Sequence, residues 1–336
     1  MNRKFRSRYM LRMGQGLRKS YINFRGCSLL ILILILSVSV VTGRADILGA
    51  SAPYAVLATT TVTNPATNLA DTVITGNMGD TSCTGFVAGT GCSLGFGTVS
   101  GVVNNGNAAW VTALAASNIA YTALMNTPSS FDFTGSCLGS GAGCINNLAP
   151  GVYSTTDSAA LLNGALTLAG GGNLAPLWIF QTAAGFITAS NSSVLVTGTG
   201  AANAGIYFEV GSQATLGDNT SFLGNILAGT AVAFDPGAQI TCGRAFTDTA
   251  AGTSVTFAGN NPATPTGVPN VVSNTCSQSS SGYNSGVLTT LPGGGTGVGS
   301  GPGLSPVPEP GSFALLSSVL LAMIFVTFRK VRVTRR

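Results

Sequence analysis

The chain has 336 residues, 45% of them hydrophobic and only 7% charged, with no histidine and a formal net charge of +5. Of its 15 Lys and Arg, all but Arg244 fall before Asp46 or from Arg329 onward, so the stretch between sets nine acids against one cation. That acidic stretch excludes a nucleic-acid surface, and without histidine or lysine it is poorly supplied for acid–base catalysis.

In chain order, eight cations precede the apolar run "CSLLILILILSVSVV" (27–41), which is followed by "TGRA". A cationic stretch, an apolar core and small residues at Gly43 and Ala45 read as a secretory signal over 1–45. Cleavage after Ala45 leaves Asp46 as the first mature residue. Residues 46–103 are rich in Thr, Val, Gly and Ala, with strand-type runs such as "YAVLATTTVT" and "DTVITGNMG". A helix follows over about 107–126, with Asn107 as N-cap and Pro128 as stop. Trp110, Leu114, Ile119 or Ala120, Ala123 and Leu124 give it an apolar stripe. Its outer side has no charge, which predicts that it lies against another surface. Residues 129–149 read as a loop bearing Gly and Cys.

From 150 to 257 the chain becomes short β-runs separated by turn residues, and phrases repeat. "AGFIT" (184–188), "SQATL" (212–216), "TAVAF" (230–234) and "TSVTF" (253–257) align, as do "NSSVLV" (191–196), "NTSFLG" (219–224) and "GAQITC" (237–242). This pattern predicts a β-solenoid in which each coil pairs with the next. Because strand side chains alternate, Phe186, Ala214, Val232 and Val255 face inward, with Thr188, Leu216, Phe234 and Phe257 two residues on. Val194, Phe222 and Ile240 are the inward residues of the second series. Facing out are Gly185 and Ile187, Gln213 and Thr215, Ala231 and Ala233, Ser254 and Thr256. The second series turns Ser193, Ser221 and Gln239 out, beside Leu195, Leu223 and Thr241. Glu209, aligned with Gln181, reads as a solvated strand residue.

Cys27 lies in the signal. The other six cysteines fall in successive pairs, Cys83/Cys92, Cys137/Cys144 and Cys242/Cys276. An even number in an exported chain reads as disulfides rather than metal ligands. The connectivity is open, and 242/276 is the least constrained pair. No cofactor is expected. The tract 259–306 is dominated by Pro, Gly, Ser and Thr and reads as a flexible spacer. After it come Pro308, Glu309 and Pro310, then the uncharged stretch 311–328, long enough to cross a bilayer, then "RKVRVTRR". This order resembles the PEP-CTERM sorting signal of bacterial surface proteins. The resemblance implies export to the cell surface or medium and a membrane exosortase that removes the tail. It also implies an association with extracellular polysaccharide. The alternative is an ordinary retained membrane anchor.

Four stretches of the body, 46–258, carry a second resemblance. They are "LGASAPYAVLATTTVTN" with "DTVITGNMG", the helix at about 107–126, "LAPGVYSTTDSAALLNGALTLAGGGNLAPLWIFQTAAGFITASNSSVLV" (148–196), and "IYFEVGSQATLGDNTSFLGNILAGTAVAFDPGAQITCGRAF" (206–246). Together they resemble the microbial ice-binding protein family. That likeness implies a mainly β fold, an irregular right-handed β-helix of triangular cross-section with one long α-helix packed alongside. It also implies a non-enzymatic, antifreeze-type protein that adsorbs to ice through a flat solenoid face and restrains ice growth or recrystallisation. Small hydroxyls suit such a face, Thr in particular because its branched side chain is stiff at χ1. The ice-contact candidates are Thr188, Ser190, Ser193, Thr215, Ser221, Thr241, Ser254 and Thr256. Some members carry Thr-Ala/Gly-X-Thr/Asn phrases on the face, and here only "TASN" (188–191) fits. A cell-surface or biofilm-matrix adhesin, using the solenoid as an inert scaffold, is the alternative.

Overall fold

The computed structural model describes residues 46–64, 72–87, 91–247, 252–260, 267–277, 279 and 281–285. The signal at 1–45, the sorting motif Pro308–Pro310 and its apolar stretch lie outside the described residues.

Alternating short strands wind into a solenoid whose named strands all pair in parallel. A parallel crossover of this kind is right-handed. One full coil shows the plan: Leu177–Thr182, Gly185–Thr188 and Ser193–Thr197 each lie on a different face. Stacking coils then makes three faces, named here the helix-covered, open and third faces. Ser221–Ala228 and Gln239–Thr247 each turn from the third face to the helix-covered one, with a register shift between Phe222 and Leu223. The corner between the open and third faces recurs as a left-handed residue: Gly164, Asn191, Asn219 and Gly237 have φ of 76°, 60°, 55° and 74°. Asn and Gly are the residues that enter this conformation most readily.

The expected inward positions hold in both series, but Leu223, expected to face out beside Ser221, is only 9% exposed and joins the core, because the register shift between Phe222 and Leu223 breaks the alternation there. Phe186, Ala214, Val232 and Val255 are buried, as are Leu216, Phe234 and Phe257, and Val194, Phe222 and Ile240. Their pairing follows the aligned phrases, with Phe186 opposite Ala214, Ala214 opposite Val232, and Val232 opposite Val255. Inside the helix-covered face runs an aromatic ladder. Tyr153 and Phe180 stack at 5.4 Å and Phe180 and Phe208 at 4.5 Å, while Phe208 leans on Phe222 at 4.8 Å. Offset rings at such separations add packing beyond the area they bury.

Strand order is not sequence order. Thr61–Thr63 pairs on one side with Ser254–Phe257 and on the other with Ser82–Phe86. The N-terminal coils therefore stack on the C-terminal end of the solenoid. The helix Ala108–Met125 is the return path. Near its start the Trp110 indole N–H donates to the Ala58 carbonyl at 3.0 Å. At its far end Gln181 Nε2 donates to the carbonyls of Leu124 and Thr127, both at 2.6 Å. Between those coils lie four strand steps, about 19 Å at roughly 4.8 Å each. From Trp110 to Leu124 the helix rises about 21 Å at 1.5 Å per residue. The helix is as long as the distance it must cover.

Asn107 caps the helix, its side chain accepting from the Trp110 N–H at 3.0 Å. The buried side is Ala113, Leu114, Ser117, Ala120, Tyr121 and Leu124. Ile119 is 51% exposed, so of the two sequence alternatives Ala120 is the inward one. Under the helix sit Val152, Ile179, Tyr207, Leu227, Phe246 and Leu57. Glu209 lies opposite Gln181 as aligned, yet it is 3% exposed rather than solvated, because this face is covered.

All three cysteine pairs are disulfides, Cys83–Cys92, Cys137–Cys144 and Cys242–Cys276. The tract read as a spacer from 259 does not begin there. Strand Asn270–Ser273 lies inside the third face, paired with Gln239–Thr247 on one side and Thr72–Thr75 on the other. Beyond it, Ser281 and Gly282 accept hydrogen bonds from Arg244. The described part of the folded body therefore runs to Ser285. Four extended residues, bounded by Pro269 and Asn274, were too short a signal to stand out in that tract.

Candidate functional site

Two of the three faces remain open to solvent on their outer sides. The open face is the more regular. Ala159–Leu162, Gly185–Thr188, Gln213–Leu216, Ala231–Phe234, Ser254–Phe257, Thr61–Thr63 and Ser82–Phe86 follow one another in unbroken pairing. Their outward residues form two columns. One runs Gln213, Ala231, Ser254, Thr61, Ser82. The other runs Leu161, Ile187, Thr215, Ala233, Thr256, Thr63, Thr84 and ends at Ser93. Steps within a column are about 4.8 Å, and the columns stand about 6.6 Å apart, two residues along a strand. No residue in either column is ionisable, so nothing on the face titrates.

The candidates divide accordingly. Thr215, Ser254 and Thr256 lie on the open face. Ser193 and Ser221 pair with each other on the third face. Thr241 sits on that same face at the register shift, its hydroxyl donating to the Phe222 carbonyl at 3.4 Å. Ser190 is exposed in the corner turn. Thr188 is corrected outright. It is 2% exposed, shares a 2.7 Å hydrogen bond with the Thr220 hydroxyl, and accepts the Gly217 N–H at 2.8 Å. The phrase "TASN" is a corner of the coil, not a stretch of face, since Asn191 supplies its left-handed turn.

Sequence reasoning missed Thr61, Thr63, Ser82 and Thr84, the most hydroxyl-rich part of the face. The signal was present: "TTVT" (60–63), "TSCT" (81–84) and "TSVT" (253–256) are one phrase three times. The first Thr of each turns into the corner. Thr81 Oγ1 donates to the Thr60 carbonyl at 2.7 Å, and the hydroxyls of Thr253 and Thr247 meet at 2.8 Å. The middle residues Val62, Cys83 and Val255 face the core, and the others face out.

The charged groups stay out of both columns, with Asp157, Asp218 and Asp235 in turns that flank the strands of this face. Arg244, the one cation of the body, is buried at 3% exposure. It donates from Nε to the Ala52 carbonyl at 2.8 Å and from Nη1 to Asn225 Oδ1 at 2.9 Å. Burial lowers its pKa to about 10, partly offset by Asp46 and Tyr207. Asp80 is fully buried inside a coil, where desolvation raises its carboxyl to about 6 against the hydrogen bond its Oδ2 accepts from the Val62 N–H. Among the described residues no group of three or more His, Cys, Asp or Glu is placed to hold a metal.

Comparison with known proteins follows the same lines. The family model described as "Ice-binding-like" matches residues 56–261. The chain belongs to this ice-binding-like family. An ice-binding protein from Nostoc sp. (strain HG1) is 34% identical over 289 residues, covering 85% of this chain and 87% of that one. Among solved structures, the ice-binding protein of the Antarctic ascomycete Antarctomyces psychrotrophicus superposes with a TM-score of 0.55 at 30% identity. The match covers 70% of this chain and all of that one. An ice-binding protein from an Antarctic biological consortium gives 0.52 at 27%, over 67% of this chain and 89% of its own. The expected ice-binding β-helix fold, with one long helix among the described residues, is thus the fold of this family member.

Proposed function

We propose that this protein adsorbs to ice through the open face and restrains ice growth or recrystallisation. One observation carries the reading: two in-register columns of small hydroxyl and methyl groups, without a charge, held on a rigid paired sheet. Ice offers no ion and no pocket, only a lattice. A matching surface must therefore be flat, stiff and weakly hydrated, so that the water it orders can join the lattice. Thr63, Thr84, Thr215 and Thr256 have branched side chains with few χ1 choices, and parallel pairing repeats them at a fixed step. The helix-covered face cannot serve, because its outer side is occupied by the helix.

The test is thermal hysteresis and recrystallisation inhibition by the purified mature chain. Thr63→Tyr on the open face is expected to abolish most of the activity, and Ser221→Tyr on the third face to leave it intact. The reverse outcome transfers the site to the third face. An unmodified protein inactive at micromolar concentration leaves the surface-scaffold reading instead. The rest of the proposal rests on sequence. The 1–45 segment directs export, and Pro308–Pro310 with 311–328 directs sorting by an exosortase-type enzyme to a surface where extracellular polysaccharide is a neighbour. The body is non-enzymatic, consistent with a family whose relatives are described by ice binding alone.

A further inference from the structure

The helix turns an uncharged stripe to solvent. Opposite its buried residues it presents Ala108, Val111, Ala115, Ile119, Thr122 and Met125, of which Val111, Ile119 and Met125 are 54%, 51% and 49% exposed. No residue from Ala108 to Met125 is an Asp, Glu, Lys, Arg or His. A surface helix of a soluble domain ordinarily carries charge on this side.

The ends of the body indicate what covers the stripe. Leu48 packs into the cluster beneath the helix with Ala113, Leu114 and Tyr121, so the chain enters at Asp46 on the helix flank. At the other end, Asn284 accepts the Tyr207 hydroxyl at 2.8 Å, and Tyr207 belongs to that same cluster. The Asn284 side-chain amide also donates to Asp46, and the Ser285 N–H donates to the Ala204 carbonyl at 3.4 Å. Both ends of the folded body therefore leave from the side that bears the helix. Each leads to an apolar run, 27–41 upstream and 311–328 downstream. Upstream, residues 42–45 are all that separate the body from the run, at most about 14 Å of extended chain.

We propose that the outer stripe of the helix, centred on Val111, Ala115, Ile119 and Met125, rests on a phospholipid bilayer while either apolar run holds the chain there. This rests on reading 27–41 or 311–328 as a membrane segment, and is independent of whether the open face binds ice. An uncharged face gives up no ionic hydration on approaching the bilayer. Its modest apolar area is too small to bind lipid alone, but the tether keeps it at high effective concentration beside the surface. The open face is thereby turned away from the lipid, toward the medium.

The experiment uses the full chain carrying Cys27→Ser, to remove the free thiol, with Ile119→Cys or Met125→Cys on the helix, or Thr256→Cys on the open face. Each is inserted in vesicles of phosphatidylethanolamine and phosphatidylglycerol and treated with a membrane-impermeant maleimide. Both helix thiols are expected to react at least tenfold more slowly in vesicles than in detergent, and the Thr256→Cys thiol at an unchanged rate. Flotation of the vesicles separates the two ways to fail. Protein that floats with lipid while the helix thiols react equally fast in both media overturns the orientation and leaves the anchor standing. Protein that does not float overturns the anchor, and the proposal with it.

Discussion

Removing the Cys242–Cys276 bond is the sharpest test of how the coils are held. The bond closes a loop of sequence separation 34, against 9 and 7 for the other two. In the chain-entropy model a loop of that size contributes about 3.8 kcal/mol and the two short ones about 2.5 kcal/mol each. The place of the bond matters as much as the loop. Just before Cys276, Asn270–Ser273 bridges Gln239–Thr247 to Thr72–Thr75, so it joins the N-terminal coils to the rest on the third face. For a folded unit of this size, 1 kcal/mol shifts Tm by about 2–4 °C. The double variant Cys242→Ala/Cys276→Ala is expected to melt about 8–15 °C lower in calorimetry, in one transition, with ice activity retained near 0 °C. The pair Cys137→Ala/Cys144→Ala is expected to lose clearly less. A loss under 3 °C, or a larger loss for the short loop, refutes the reasoning, because loop entropy would then not set the order.

Asp80 makes stability fall as pH rises. Its folded carboxyl is raised from 3.8 to about 6 by burial, so the fold favours the protonated form. The contribution is complete below about pH 4 and is lost as pH climbs through 6, at most about 3 kcal/mol by linkage. Tm is expected to be higher at pH 5 than at 7.5, and Asp80→Asn to flatten that slope. A Tm that climbs from pH 5 to 7.5 contradicts this. Ice activity is expected to stay level over the same range, since the open face has no titrating group. Phe208→Ala, at the centre of the aromatic ladder, is expected to cost about 3–5 kcal/mol in denaturant unfolding. Thr188→Val leaves the buried Gly217 N–H without its acceptor, a loss of about 1–3 kcal/mol. Its thermal hysteresis is expected to match the unmodified protein when both are folded, and a selective loss of activity would return Thr188 to the ice surface.

What was legible in the sequence was local. Alternation placed Phe186, Ala214, Val232 and Val255 correctly because each strand carries its own inward–outward pattern. The same rule misjudged residues whose environment is supplied from elsewhere. Glu209 is outward on its strand, but a helix some 90 residues earlier in the chain covers it. Thr188 counts as inward by the alternation, and only the attraction of a Thr-bearing phrase made it a surface candidate. Ile119 and Ala120 are consecutive, about 100° apart around the helix, and the sheet beneath decides between them. Thr61 and Thr84 went unnoticed because nothing in the order of the chain says that residues 54–86 stack beyond residue 257. The cysteine pairs, by contrast, follow chain order, so successive pairing found them.

That long-range stacking bears directly on the face. Its richest hydroxyl stretch joins Ser254 and Thr256 to Thr61 and Thr63, strands from opposite ends of the body. No local sequence holds those columns in step. They are held by pairing at the open face, by Asn270–Ser273 at the third face, and by Leu57 and Phe246 under the helix. Pairings this distant in sequence form late and add entropy cost before they return contacts. A rigid lattice-matching surface therefore cannot be separated from the fold that makes it. Any loosening of the N-terminal coils removes Thr61, Thr63, Ser82 and Thr84 from register at once, leaving a half dominated by Leu161, Ile187, Ala231 and Ala233. The scarcity of chemistry on this face is thus matched by heavy dependence on geometry. The core beneath it, the corner threonines and the long disulfide all serve to hold that geometry.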